Sequence, residues 1–117
     1  MGFFKNSEGY YVKYEEEIQE FIVEGEFIEA IYGLVLDYAC LTNKRIIFTD
    51  KAIGTKEIEL VSIPYSKVEA VSIRKGKLFS LTNKINIYTK FQNYSLEFIK
   101  GANVTEFYKT ITKYICD

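Results

Sequence analysis

"LTNKRIIFTDK", residues 41–51, places two apolar, strand-like runs on either side of a turn that carries two adjacent cations, Lys44 and Arg45. Asn43 and Lys44 fall where a two-residue hairpin connection would lie. Asparagine tolerates the positive φ that such turns favour, and the Thr42 hydroxyl is placed to hydrogen-bond across the turn. A hairpin therefore explains the motif without a ligand. Arg45 is expected to close an ion pair with Asp37 or Asp50, which leaves Lys44 and Arg45 as the second-ranked candidates for ligand contact.

Outward from this turn, the period of two continues in both directions. Short β-rich runs occupy 26–32, 37–42, 45–50, 57–63, 68–74, 84–90 and 94–100, separated by stretches with Gly, Asn, Lys, Ser and the one proline, Pro64. Ile58 and Leu60 alternate with Glu57 and Glu59, Ile85 and Ile87 with Asn86 and Tyr88, and Leu96 and Phe98 flank Glu97. Seven strands with one buried face are expected.

The period changes at both ends of the β region. Tyr14, Ile18, Phe21 and Ile22 recur at helical spacing, with Glu15, Glu16, Glu17 and Glu20 on the opposite face, so a helix is expected over about 13–22, closed by Gly25. The three consecutive glutamates fan around a helix and read as a solvated face. Val104, Phe107, Tyr108, Ile111, Tyr114 and Ile115 form a second stripe, and Asn103 with Glu106 has the spacing of a capping box, giving a helix over about 103–116. Phe48, Ile58, Leu60, Ile87, Phe98, Phe107 and Ile111 are the expected members of one core.

A chain of 117 residues, 48% hydrophobic and 26% charged, has the size and composition of one folded domain, taken as 1–117. No run approaches the ~18 apolar residues of a membrane span, and the start lacks a signal-peptide pattern, so a cytoplasmic protein is expected. Cys40 and Cys116 show no metal-like spacing and read as two packed, reduced thiols. The net charge of −1 conceals a division: residues 1–40 hold nine acidic and two basic side chains, residues 41–117 seven and thirteen. Such a split suits packing between an acidic and a basic segment, within one chain or between copies.

The stretch 41–51, together with Ser62-Ile63-Pro64-Tyr65 followed by Val68 and the order helix, seven strands, helix from about residue 12 to 116, resembles the bacterial pleckstrin-homology (PH) domain family. After Gly76 the family's acidic segment is replaced by Lys77-Leu78-Phe79-Ser80-Leu81-Thr82-Asn83-Lys84, so no role of those acids carries over. The resemblance implies an α+β, mainly β fold: a PH-like barrel or sandwich of seven antiparallel strands, its sheets roughly orthogonal, capped by the C-terminal helix and preceded by an extra N-terminal helix. It also implies ring-like homo-oligomers, and a recognition role without chemistry. Lipid-binding PH domains usually hold phosphates with cations around the first strand-to-strand loop. Here that loop, Tyr32-Gly33-Leu34-Val35-Leu36-Asp37, has none, which argues against phosphoinositide recognition of that kind.

The first-ranked candidate surface is the acid-free run that holds Arg74, Lys75, Lys77, Lys84 and Lys90. It is suited to an anionic membrane surface or a protein partner, against the plainer reading of a solvated hairpin that balances the acidic N-terminal region. The chain has no histidine, no spaced metal-ligand set, no phosphate loop and no nucleophile elbow, so no enzyme activity, cofactor, metal or small-molecule substrate is expected. Aromatics such as Phe79, Tyr88 and Phe91 lie among the cations, but a pI near 5.6 argues against nucleic acid. The expected function is a binding or scaffold module acting through protein contacts and homo-oligomerisation, with peripheral binding of anionic lipids through 74–90 as the alternative.

Overall fold

The computed structural model describes residues 8–76 and 81–116. Its elements run α1 (Glu8–Gln19), β1 (Ile28–Gly33), β2 (Tyr38–Thr42), β3 (Arg45–Lys51), β4 (Ile58–Pro64), a single 3-10 turn (Tyr65–Lys67), β5 (Val68–Lys75), β6 (Leu81–Thr89), β7 (Asn93–Glu97) and α2 (Val104–Ile115). All seven expected strands are present. They form two sheets, one ordered β1-β2-β3-β4 and one β5-β6-β7. The described sheets are not closed into a barrel, because the ladder stops after β4. Pro64 has no N–H to extend it, and Tyr65–Lys67 turns the chain instead.

The chain divides into two compact units, residues 1–62 and 63–117. In the first, Cys40 lies opposite Ile31 on one side and Ile47 on the other. This row, with Ile18, Ile28 and Tyr38, forms a buried cluster against which Tyr14, Ile22 and Leu60 pack, so the apolar stripe of α1 lies on the sheet. A register shift between Ile28 and Ala30 in β1 interrupts the strict alternation there. The other row, Ala39, Leu41, Ile46 and Phe48, is also unexposed. The expectation of a single buried face thus fails for β2 and β3: their near-continuous apolar runs are buried on both faces.

Three details of this unit differ from the sequence reading. The first helix stops at Gln19 and not at Gly25, and Phe21, counted on its stripe, is half exposed. Gly25 takes φ 83° within a separate turn in which the Glu26 amide donates to the Val23 carbonyl at 3.0 Å. Ile58, an expected core residue, is 48% exposed: it stands at the end of an edge strand beside the β3–β4 turn, where Leu60 further along still reaches the cluster.

In the second unit, Val71 and Ile73 of β5 pair with Ile87 and Ile85 of β6, and these with Tyr94 and Leu96 of β7. The helix α2 lies over β5 and β6 of this sheet. Its Phe107 and Ile111 are fully buried, and Phe107 meets Phe98 edge-on at 4.9 Å and 67°. The expected cap is present, with the Glu106 amide donating to Asn103 Oδ1 at 3.0 Å. The expected core residues are therefore shared between the units, Phe48 and Leu60 in the first, Ile87, Phe98, Phe107 and Ile111 in the second.

Candidate functional site

Leu41 pairs with Ile46 across the turn at Asn43 and Lys44, so 41–51 is a hairpin. The turn is not held by a positive φ at Asn43; among the described residues the only non-glycine with positive φ is Asp37, at 58° in the β1–β2 loop. It is held by Thr42, whose Oγ1 accepts from the amides of Lys44 and Arg45, each at 3.0 Å. Asn43 serves a different contact: its Oδ1 accepts from the Phe27 amide at 2.8 Å and its Nδ2 donates to the Gly25 carbonyl at 3.1 Å.

Arg45 does form an ion pair, but with Glu26 and not with Asp37 or Asp50. Its Nε donates to Glu26 Oε2 at 2.7 Å and its Nη2 to Oε1 at 3.0 Å, a bidentate clasp. The remaining reach of the guanidinium goes to Ser62 Oγ at 2.9 Å and the Phe21 carbonyl at 2.7 Å. Glu26, its side chain without exposure, also accepts from Thr42 Oγ1 at 2.7 Å and from the Val23 amide at 3.1 Å. Burial works to raise the Glu26 pKa, yet the hydrogen bonds from Arg45, Thr42 and Val23 outweigh it and hold the carboxyl down at about 2. The partner follows from register. Ile28 lies opposite Thr42, so the chain entering β1 runs beside the β2–β3 turn. With four N–H bonds committed, Arg45 has little left for a ligand. Lys44 is exposed.

The clasp and the Asn43 contacts fix the loop between α1 and β1, and this loop carries Phe21, Val23 and Phe27, exposed by 50%, 55% and 57%. The sequence reading puts Phe21 on the apolar stripe of the first helix and passes over the other two. Beneath α1, the hydroxyl of Tyr38 donates to Glu17 at 3.1 Å, so one of the three glutamates read as solvated has a structural partner. Burial, with the Glu17 carboxylate, pushes the Tyr38 phenol up. Burial likewise pushes the Cys40 thiol up, which makes it a packed, unreactive side chain. Cys116 is free too, but exposed rather than packed.

The first-ranked cations are not gathered into one cluster. Arg74 and Lys75 are exposed at the end of β5, where Lys75 pairs with Leu81. Lys90 is exposed in the Thr89–Gln92 turn at the opposite end of the same sheet, about 25 Å away along an eight-residue strand. Lys84 stands between them, directly opposite Glu97 on β7. Lys77 lies outside the described residues, as does Phe79. The β1–β2 loop is the cation-free stretch expected, closed by the Leu34 amide donating to the Asp37 carbonyl at 2.9 Å. Among the described residues no group of three or more His, Cys, Asp or Glu side chains is placed to hold a metal ion, and no helix is long and apolar enough to cross a membrane.

Two sheets of four and three antiparallel strands with a capped C-terminal helix define a PH-like, mainly β protein. Solved structures share this fold: a pleckstrin homology domain from Shewanella amazonensis, with a TM-score of 0.72 at 24% identity, covers 90% of this chain and 97% of its own. A protein with a pleckstrin-homology domain from Shewanella loihica gives 0.69 at 22%, over 89% and 92%. The family model for the bacterial PH domain matches residues 2–115, and the chain belongs to that family. It is 35% identical to YozO of Bacillus subtilis over 101 residues, 86% of this chain and 89% of YozO. YjqA of the same organism is 31% identical over 101 residues, 83% and 81% of the two chains.

Proposed function

We propose that this chain is a non-catalytic binding module, one PH-like domain that acts through protein–protein contacts and associates with copies of itself. The observation that carries this reading is the α1–β1 loop. Three apolar side chains are at least half exposed on a segment locked by a bidentate ion pair and by Asn43. Exposed apolar groups on a pre-set loop favour association, since little ordering is lost on binding. Charge supports contact between copies. Residues 1–62 hold twelve acidic and six basic side chains and residues 63–117 four and nine, so an acidic unit of one copy attracts a basic unit of the next. We take its compartment to be the cytoplasm, in keeping with two free cysteines.

Light scattering coupled to size exclusion tests the reading. The expected mass at low salt is a multiple of 13.6 kDa that falls as salt screens the attraction, with Phe27→Ser shifting the population towards monomer. A 13.6 kDa species at every concentration and salt would sink the self-association. The alternative, anionic-lipid binding through 74–90, has less support, since those cations stand at both ends of the sheet and one faces Glu97.

A further inference from the structure

We propose that the face of the β5-β6-β7 sheet turned away from α2 binds single-stranded nucleic acid, with Tyr88 as the stacking platform and cations towards its two ends on phosphates. Register defines this face. Val71 and Ile73 pair with Ile87 and Ile85, and these with Tyr94 and Leu96, so their side chains share one side of the sheet. The helix lies on that side: its Phe107 meets Phe98, which follows Leu96 in alternation. The residues in between point the other way.

On this other side, Tyr88 of the centre strand lies between Ala70 and Asn93. One row on, about 7 Å away, Asn86 lies between Ser72 and Ser95. Ala70, Asn93 and Ser95 are exposed, so the face is open. Tyr88 is half-buried, and its hydroxyl shares a hydrogen bond of 3.2 Å with the hydroxyl of Ser72, which ties the ring to the edge strand. Ala70, its neighbour there, is too small to cover it.

A protein interface needs an apolar centre, and these rows supply hydroxyl and amide groups around one ring instead. Such groups match the donor and acceptor edges of bases, and an aromatic side chain on a sheet stacks an unpaired base. Bases in a duplex are already stacked on one another, so the fit is to a single strand.

Charge selects the polymer. The pI near 5.6 that argues against nucleic acid averages two unlike units, and residues 63–117 alone hold nine basic and four acidic side chains. Arg74 and Lys84 stand towards one end of the face and Lys90 in the turn at the other. A spread that defeats a single patch suits an extended phosphate backbone. Glu97, opposite Lys84, is the carboxylate of this face, so Glu97→Gln should tighten binding about threefold. The α1–β1 loop takes no part, and no contact between copies is required.

The test is fluorescence anisotropy of the full chain with labelled oligouridylate and oligothymidylate of about twelve residues, within the site sizes of single-strand binders. Binding is expected at low salt, and the two arms separate RNA from DNA through the 2′-hydroxyl. A hairpin duplex should bind about tenfold more weakly. Tyr88→Leu should weaken single-strand binding about tenfold, whereas Tyr88→Phe, which keeps the ring, should bind as the native chain does. With Arg74, Lys84 and Lys90 on phosphates at ~0.7 each, log K should fall against log salt with a slope of about −2, and Arg74→Gln/Lys84→Gln/Lys90→Gln should flatten it. Lys109→Gln, on the helix across the sheet, should change neither affinity nor slope. No anisotropy change with either strand, a duplex bound as tightly as the single strands, or a salt slope unmoved by the triple variant would each overturn the proposal. So would native affinity in Tyr88→Leu, which would leave only a basic surface for polyanions in general. The duplex comparison and the salt slope decide the matter even if Tyr88→Leu does not fold.

Discussion

Replacing Glu26 by glutamine removes the charge at the centre of the clasp while keeping its shape. The magnitude follows from the carboxyl itself. Its pKa falls from 4.5 to about 2 on folding, about 2.5 pH units. At 1.36 kcal/mol per unit this is about 3 kcal/mol, and the one-fifth exposure of the Arg45 side chain trims it by screening to about 2–3 kcal/mol. A glutamine oxygen still accepts one bond, but its amide group cannot accept the second from Arg45, and a buried polar network that is partly satisfied weakens further.

The sign is that of a depressed carboxyl. Only the ionised form gains the hydrogen bonds, so the contribution is present in full above pH 4.5 and is lost as pH falls through about 2. Urea unfolding should therefore show Glu26→Gln about 2–3 kcal/mol less stable at pH 7. The gap should narrow steadily between pH 5 and pH 2. For a domain of this size the melting temperature should drop by roughly 10 °C. A variant within about 0.5 kcal/mol of the parent at pH 7, or a gap that stays constant down to pH 3, would show that the clasp contributes nothing to folding and refute the reasoning.

The other expected outcomes are as direct. Phe98→Ala removes a fully buried ring packed edge-on to Phe107 and should cost about 3–5 kcal/mol; melting within a degree or two of the parent would overturn its placement in the core. In the native protein a thiol reagent should modify Cys116 at once and Cys40 only after unfolding, since Cys40 is buried with its thiol pushed up. Two fast-reacting thiols would contradict that burial.

The elements were legible because their signals are local. Seven strands, a capped C-terminal helix and the 41–51 hairpin all follow from periods and turn residues within a dozen positions. Partners across the fold were not legible. Sequence proximity points Arg45 to Asp37 or Asp50, whereas Glu26 reaches it only through the β1–β2 register, which no local pattern states. Gly25 carried the right backbone requirement and the wrong role, because a positive φ serves a turn as well as a helix end. The acid-free run looked like one patch because 74 and 90 are close in sequence; an antiparallel hairpin sends them to opposite ends of a sheet.

Charge and apolar contact are separable contributions to self-association, because salt screens only the first. Phe27 stands on the loop fixed by Asn43 and the clasp and is 57% exposed, so Phe27→Ser should leave folding nearly intact. If the apolar loop carries the contact, Phe27→Ser lowers the mass in solution at every salt concentration. If the opposite charges of the two units carry it, the substitution changes little at low salt, and the native chain itself falls to 13.6 kDa once salt is raised.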